Sequence, residues 1–144
     1  TSLGTPEFPG ITMPGGTLAA DGDSVMVYSL VKNGATANTK QTRLRFGGTV
    51  IGNSTAGTPN NNWWVVRAII IRTSATAQKA ICWVSNVAHE AAWTSAAGGN
   101  VNSTTPAETL SGDVVIKITG QSGVTGAADD VAAYLTLIWK IPAA

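Results

Sequence analysis

One histidine, one cysteine and eight carboxylates are the conventional catalytic material of this 144-residue chain. None of it falls into a catalytic spacing. His89-Glu90 opens like the helix of a zinc protease, but the position four residues after His89, where the second histidine ligand would stand, is Trp93. A lone histidine cannot supply the protein ligands of a zinc site. Gly120 to Gly126 reads GQSGVTG, which lacks the Gly-x-Ser-x-Gly frame of a nucleophile elbow, so a polar loop between strands explains it better. Asp21-Gly22-Asp23-Ser24 and Asp129-Asp130 offer carboxylates to a cation without the glutamate and spacing of a calcium loop. Asp and Gly just before a strand instead predict a turn whose carboxylate accepts backbone N–H groups. Glycoside hydrolysis needs only two acids some ~5–9.5 Å apart, which sequence spacing does not exclude. The shortage of acids, mostly at strand ends, argues against it. Cys82, between Ile81 and Trp83, reads as a buried thiol, and a single cysteine leaves no internal disulfide and no cysteine-based zinc site. The expectation is a chain that is not an enzyme and takes no cofactor and no metal.

Aromatic residues are the better candidates. Five Trp stand against two Tyr and two Phe. Tryptophan either fills cores and interfaces or serves as a platform on which a sugar ring stacks. Trp64, Trp83 and Trp139 sit inside strand-like runs and are expected to be packed. Trp63 and Trp93, beside polar loops, are the candidates for glycan contact.

Whatever these residues do, one domain must position them, since 144 residues is near the commonest domain size. Hydrophobic residues make up 44% and charged residues 12%, about half the usual ~25% charged share. So few charges imply that part of the outside meets another subunit rather than water. Net charge is +1 with no Lys/Arg run, so the electrostatic footprint of a nucleic-acid binder is missing. No stretch approaches the ~20 apolar residues of a membrane helix, the run from Trp63 to Ile71 being interrupted by Arg67, so no membrane partner is expected. The Pro/Gly-rich opening does not read as an export signal, and a start at Thr1 implies processing or a piece of a longer protein.

Residues 1–17 are expected to form an extended N-terminal arm, because three prolines and four glycines before Thr17 prevent a helix or a central strand. Leu3, Phe8, Ile11 and Met13 give that arm something to bury against a neighbouring subunit or a shell. Residues 18–144 read as short β-rich runs between Gly, Asn, Thr and Ser clusters, the pattern of an antiparallel, jelly-roll-like β-sandwich. Strands are expected at about Ser24 to Val31, Thr42 to Gly48, Trp63 to Thr73, Gln78 to Ser85, Asp113 to Thr119 and Val131 to Lys140. Loops are expected between them, including Gly98 to Thr105. In Trp63 to Thr73, Trp64, Val66, Ala68 and Ile70 share one face, and Val65, Arg67, Ile69 and Ile71 share the other. Only one face of a two-layer sandwich meets the core, so Val65, Arg67, Ile69 and Ile71 are expected at an oligomer interface. Met26, Tyr28 and Leu30 repeat the pattern, opposite Val25, Val27 and Val31, and a closed symmetric oligomer follows.

Three stretches carry a resemblance: Leu18-Ala-Ala-Asp-Gly-Asp-Ser-Val25; Asn33-Gly-Ala-Thr-Ala-Asn-Thr-Lys40 leading into Arg43-Leu-Arg-Phe-Gly-Gly48; and Trp64-Val-Val-Arg-Ala-Ile-Ile-Ile-Arg-Thr-Ser-Ala-Thr-Ala-Gln78. With the last strand they resemble small jelly-roll proteins on the outside of tailed bacteriophages, known as head decoration (cement) proteins and as tail-fibre modules. The resemblance implies a homotrimer on the outer surface of the virion, seated on a major capsid protein or another virion protein and stabilising the head. The alternatives are a tail-fibre or tailspike module and a carbohydrate-binding module contacting host glycans. The arm matches nothing specific in that pattern.

Overall fold

The computed structural model describes residues 9–58, 61–86, 100–123 and 131–143. Nine strands make up the regular structure among the described residues: β1 (Ile11–Met13), β2 (Ser24–Asn33), β3 (Lys40–Phe46), β4 (Thr49–Asn53), β5 (Trp63–Ser74), β6 (Ala77–Asn86), β7 (Asn100–Thr104), β8 (Val114–Ser122) and β9 (Val131–Ile141). They form two antiparallel sheets, one ordered β1-β8-β3-β4 and one ordered β7-β6-β5-β2-β9, packed as a β-sandwich. The pairings nest: β2 with β9, β3 with β8, and β5 with β6. The chain is wrapped as one long hairpin folded over itself, as in a jelly roll.

Alternation builds the core. Val25, Val27 and Val31 of β2, Trp64, Val66, Ala68 and Ile70 of β5, and Ala80, Cys82 and Val84 of β6 point inward from the five-stranded sheet. They meet Leu44, Phe46, Ile51, Val114, Ile116 and Ile118 of the other sheet, each layer placing every second side chain in the space between.

Three strands were not expected from the sequence. The shortest, β1, pairs Ile11 with Ile116 and Met13 with Val114, and Met13 is 5% exposed within the core cluster. Residues 11–13 of the expected arm therefore belong to the sandwich of their own chain. Met13 is anchored there and is not a contact for a neighbour. Ile11 is exposed, while Leu3 and Phe8 lie outside the described residues. β4 follows β3 through a turn at Gly47, whose φ of 56° is the left-handed conformation that glycine tolerates. β7 lies where a loop was expected because it shows no apolar alternation. The Nδ2 groups of Asn100 and Asn102 donate instead to the Asn53 carbonyl, at 3.2 and 3.3 Å, and tie the edges of the two sheets together.

The turn expected at Asp21 to Ser24 is present, and Asp23 is its clamp. One carboxylate oxygen accepts from the N–H groups of Ala19 (2.9 Å) and Ala20 (3.0 Å), and the other from Ala143 (2.9 Å). Lys140 stands 3.6 Å away. The N–H of Ala20 first, then those of Ala143 and Ala19 with the Lys140 charge, hold the Asp23 pKa down at about 2 against an ordinary 3.8, over an opposing effect of burial. Because the folded pKa is the lower one, this stabilisation is complete above pH ~4 and is lost as pH falls through about 2. Asp23→Asn is expected to lower the thermal midpoint at pH 7. Melts of both proteins from pH 7 to pH 2 should show the difference shrinking across that window, and a constant difference would mean that the carboxylate charge contributes nothing.

Candidate functional site

In β2 and β5, the residues not pointing into the core are mostly apolar, and strand pairing arranges them in rows across the outside of the five-stranded sheet. Ile81, Ile69, Met26 and Trp139 form one row, and Val101, Trp83, Arg67, Tyr28 and Leu137 form the next. Met26 (38% exposed), Ile71 (39%), Ile81 (38%), Val101 (67%), Leu137 (39%) and Trp139 (47%) stand open to solvent on this face. Single exposed apolar residues are ordinary, whereas a contiguous set across five strands marks a surface of interaction.

At the middle of the face is a cleft of about 350 Å³, lined by Met26, Tyr28, Arg67, Ile69, Trp83 and Trp139 among others. Among its lining residues the Arg67 guanidinium lies 5.6 Å from the centre of the Tyr28 ring, a cation–π contact worth ~0.5–1 kcal/mol at an open site. A second aromatic group stands towards one end of the sheet. The Trp63 and Tyr134 rings are 4.9 Å apart and tilted by 59°, and the Lys32 amine is 5.7 Å from the Trp63 ring centre. Beside them Lys32, Gly34, Ala35, Asn61, Ala132 and Tyr134 line a hollow of about 230 Å³.

The residues expected at an oligomer interface are thus placed unequally. Arg67 and Ile69 are half-buried and Ile71 is exposed, all on the outer face. Val65 points the same way, opposite Leu30 and Ser85, yet is 1% exposed in the isolated chain and offers a neighbour no surface. Of the glycan candidates, Trp63 is 36% exposed and Trp93 lies outside the described residues. Trp64 is packed as expected. Trp139 is not packed: it and half-buried Trp83 stand on the outer face.

The reason lies in β9. Its pairing with β2 slips by one residue between Leu30 and Val31, so that Val31 faces Ala133 and Leu30 faces Leu135, leaving Tyr134 as the extra residue of a bulge. Beyond it, Leu135, Leu137, Trp139 and Ile141 point outward, while Thr136, Ile138 and Lys140 take the inward positions opposite Ser29, Val27 and Val25. One inserted residue exchanges the faces of everything after it.

The groups with conventional chemistry are engaged elsewhere. Each of the four carboxylates among the described residues is bound into the fold. Asp23 clamps its turn, Asp21 accepts from Arg72 Nε at 2.9 Å, Glu108 from the Gly48 N–H at 2.9 Å, and Asp113 from the Gly15 N–H at 2.9 Å. Among the described residues no three or more of His, Cys, Asp and Glu stand where they could share a metal ion. His89 and Asp129-Asp130 lie outside the described residues. Burial raises the Cys82 thiol to about pKa 12, which leaves almost no thiolate to react at neutral pH. Iodoacetamide at pH 8 should therefore modify Cys82 only in denaturant, and rapid modification of the native protein would mean that the sheets open readily.

Comparison with known protein families, with characterised proteins and with solved structures finds no match to this chain in any of the three.

Proposed function

We propose that this chain is a non-enzymatic structural protein of the tailed-phage surface, a homotrimer that decorates the head and stabilises it by binding a major capsid protein. The observation that carries the reading is the apolar outer face of the five-stranded sheet, with Trp139 47% exposed and Val101 67% exposed on it. Such a face is costly in water and useful in an assembly. The low charge content of the chain agrees with it, as does the resemblance of its turn and strand patterns to phage decoration proteins. Cementing needs no chemistry. Many repeated contacts that bind the assembled lattice and not its loosened forms stabilise the lattice by mass action.

The test is immunogold electron microscopy of the phage particles, with antibodies raised against the chain. Label spread over the heads is the expected result. Label confined to the tail tip would move the chain to the tail-fibre alternative, and particles without label would remove the virion reading altogether.

One observation favours a second reading, a tail-fibre or carbohydrate-binding module that contacts host glycans. The Trp63–Tyr134 pair, with Tyr134 63% exposed beside a hollow that also holds Lys32 and Asn61, offers a stacking ring next to hydrogen-bond donors. On that reading Trp63→Ala should weaken binding on a glycan array at least tenfold, and unchanged binding, or no glycan bound by the native chain, would exclude this site.

A further inference from the structure

Resting on the glycan reading of the Trp63–Tyr134 pair, we propose that this site takes an acidic sugar, a hexuronic acid whose ring stacks on Tyr134 and whose carboxylate is held by the Lys32 amine. Strand register assembles the group: Lys32 on β2 pairs with Trp63 of β5 on one side and with Ala132 of β9 on the other. The bulge then delivers Tyr134 as an additional residue beside this row, and re-aiming a side chain at a site is a common use of a bulge. Of the two rings Tyr134 is the open one, 63% exposed against 36% for Trp63. Trp63 already meets the Tyr134 ring at 4.9 Å and the Lys32 amine at 5.7 Å, so it positions both groups and leaves Tyr134 as the platform. The hollow beside them stays open because Gly34, Ala35 and Ala132 are too small to fill it. Backbone fixes its wall: the Asn61 N–H donates to the Gly34 carbonyl at 3.1 Å and the Asn33 N–H to the Asn62 carbonyl at 2.8 Å. Asn61 is held there in the left-handed conformation, at a φ of 52°, which asparagine adopts more readily than most residues.

Charge argues for the acid. Lys32 is the one charged residue lining the hollow, and an ammonium group only donates. The four carboxylates among the described residues stand at the opposite end of the sandwich: Asp21 and Asp23 before Ser24, Glu108 at Gly48, and Asp113 before Val114. Ser24 is eight residues from Lys32 along β2, ~27 Å at the rise of a strand, well beyond the screening length at physiological salt. A neutral sugar satisfies the Asn61 amide and the Tyr134 hydroxyl but leaves the amine without a counter-charge, whereas a carboxylate accepts from it in a charge-assisted bond. A small inorganic anion answers the amine and leaves the open Tyr134 ring unused. A uronic acid answers both, since its carboxylate sits on a ring whose C–H face stacks on an aromatic side chain.

The experiment titrates the protein with methyl glucuronide and with methyl glucoside, which differ only in a carboxylate at C6, and follows its NMR signals. The native chain should bind the glucuronide about fivefold more tightly, the effect of one ion pair at an open site, and the preference should shrink as salt is raised. Lys32→Gln should abolish the preference and leave glucoside binding unchanged, while Lys79→Gln, exposed at the far end of β6, should alter neither. Tyr134→Ala should weaken both ligands alike. A cooperative melt establishes that each variant folds, and the salt dependence of the native chain tests the same charge without any substitution. A native chain that binds the two glycosides equally would overturn the proposal and leave the glycan reading standing, the amine then being answered by an acid of the chain itself such as Asp129 or Asp130. A preference that survives Lys32→Gln would overturn the role of the amine, and Tyr134→Ala with native affinities would overturn the platform. A native chain that binds neither glycoside nor any glycan on an array would remove the glycan reading and this proposal with it.

Discussion

Replacing Lys40 by Met should destabilise the fold by about 3 kcal/mol, and replacing it by Ala should cost more. Lys40 is 1% exposed, a lysine buried along its whole length. Its amine donates to the carbonyls of Thr36 (2.6 Å) and Asn38 (3.2 Å), and its backbone exchanges hydrogen bonds with Gly57 at 2.6 and 3.1 Å. One residue thus fastens the loop before β3 to its own strand and to the segment after β4. Methionine keeps most of the volume and removes the donor. Each hydrogen bond lost from a charged donor costs ~1.5–3 kcal/mol, whereas alanine adds a cavity to the same loss. For a chain of this length 3 kcal/mol corresponds to a fall in thermal midpoint of on the order of 10 °C. Denaturant melts of the three proteins decide the matter: a methionine variant as stable as the native chain would mean that water replaces the amine at both carbonyls.

Gly52→Ala should be comparably damaging, although it adds one carbon. Gly52 lies on β4 facing β6 of the other sheet, and a Cβ built there would run into Cys82 Sγ and stand 2.6 Å from Cys82 Cβ. No side-chain rotation relieves the second contact, so the sheets must part. Overpacking of this kind costs ~1–3 kcal/mol and occasionally more, and the upper end is expected because the neighbour is fixed in β6. Gly48→Ala is the control, since the nearest atom to a Cβ there is a Glu108 oxygen at 3.8 Å. The double variant Gly52→Ala/Cys82→Gly removes the obstructing atoms and should recover part of the loss, giving a coupling term in a double-mutant cycle. Simple additivity of the two variants would show that the contact does not limit packing.

Taken together, these sites explain why so few charges suffice. Asp21, Asp23, Glu108 and Asp113 each satisfy backbone or arginine donors at turns, and Lys40 satisfies acceptors inside the fold. The polar groups close the ends and loops of the sandwich and leave the outside of the five-stranded sheet to apolar side chains.

What the sequence determined by itself was the part governed by local periodicity. The alternation of Val114, Ile116 and Ile118, the branched run from Trp63 to Thr73 and the Asp-Gly turn before Ser24 each identify their element from neighbours in the chain, and the β-sandwich follows from their number and spacing. The doubly apolar character of β2 and β5 was likewise legible. Partners distant in sequence decided the rest. β1 exists because Met13 finds Val114, and β7 because asparagines reach Asn53 across the sandwich. Ile11-Thr12-Met13 is too short for its alternation to identify a strand, and β7 has no apolar pattern of its own. The face that Trp139 occupies was decided by the bulge at Tyr134, whose position depends on pairing with Leu30 and Val31 a hundred residues earlier. Side-chain direction in a strand has a period of two, so a single unpaired residue reverses it, and only the register of the assembled sheet shows where that residue falls.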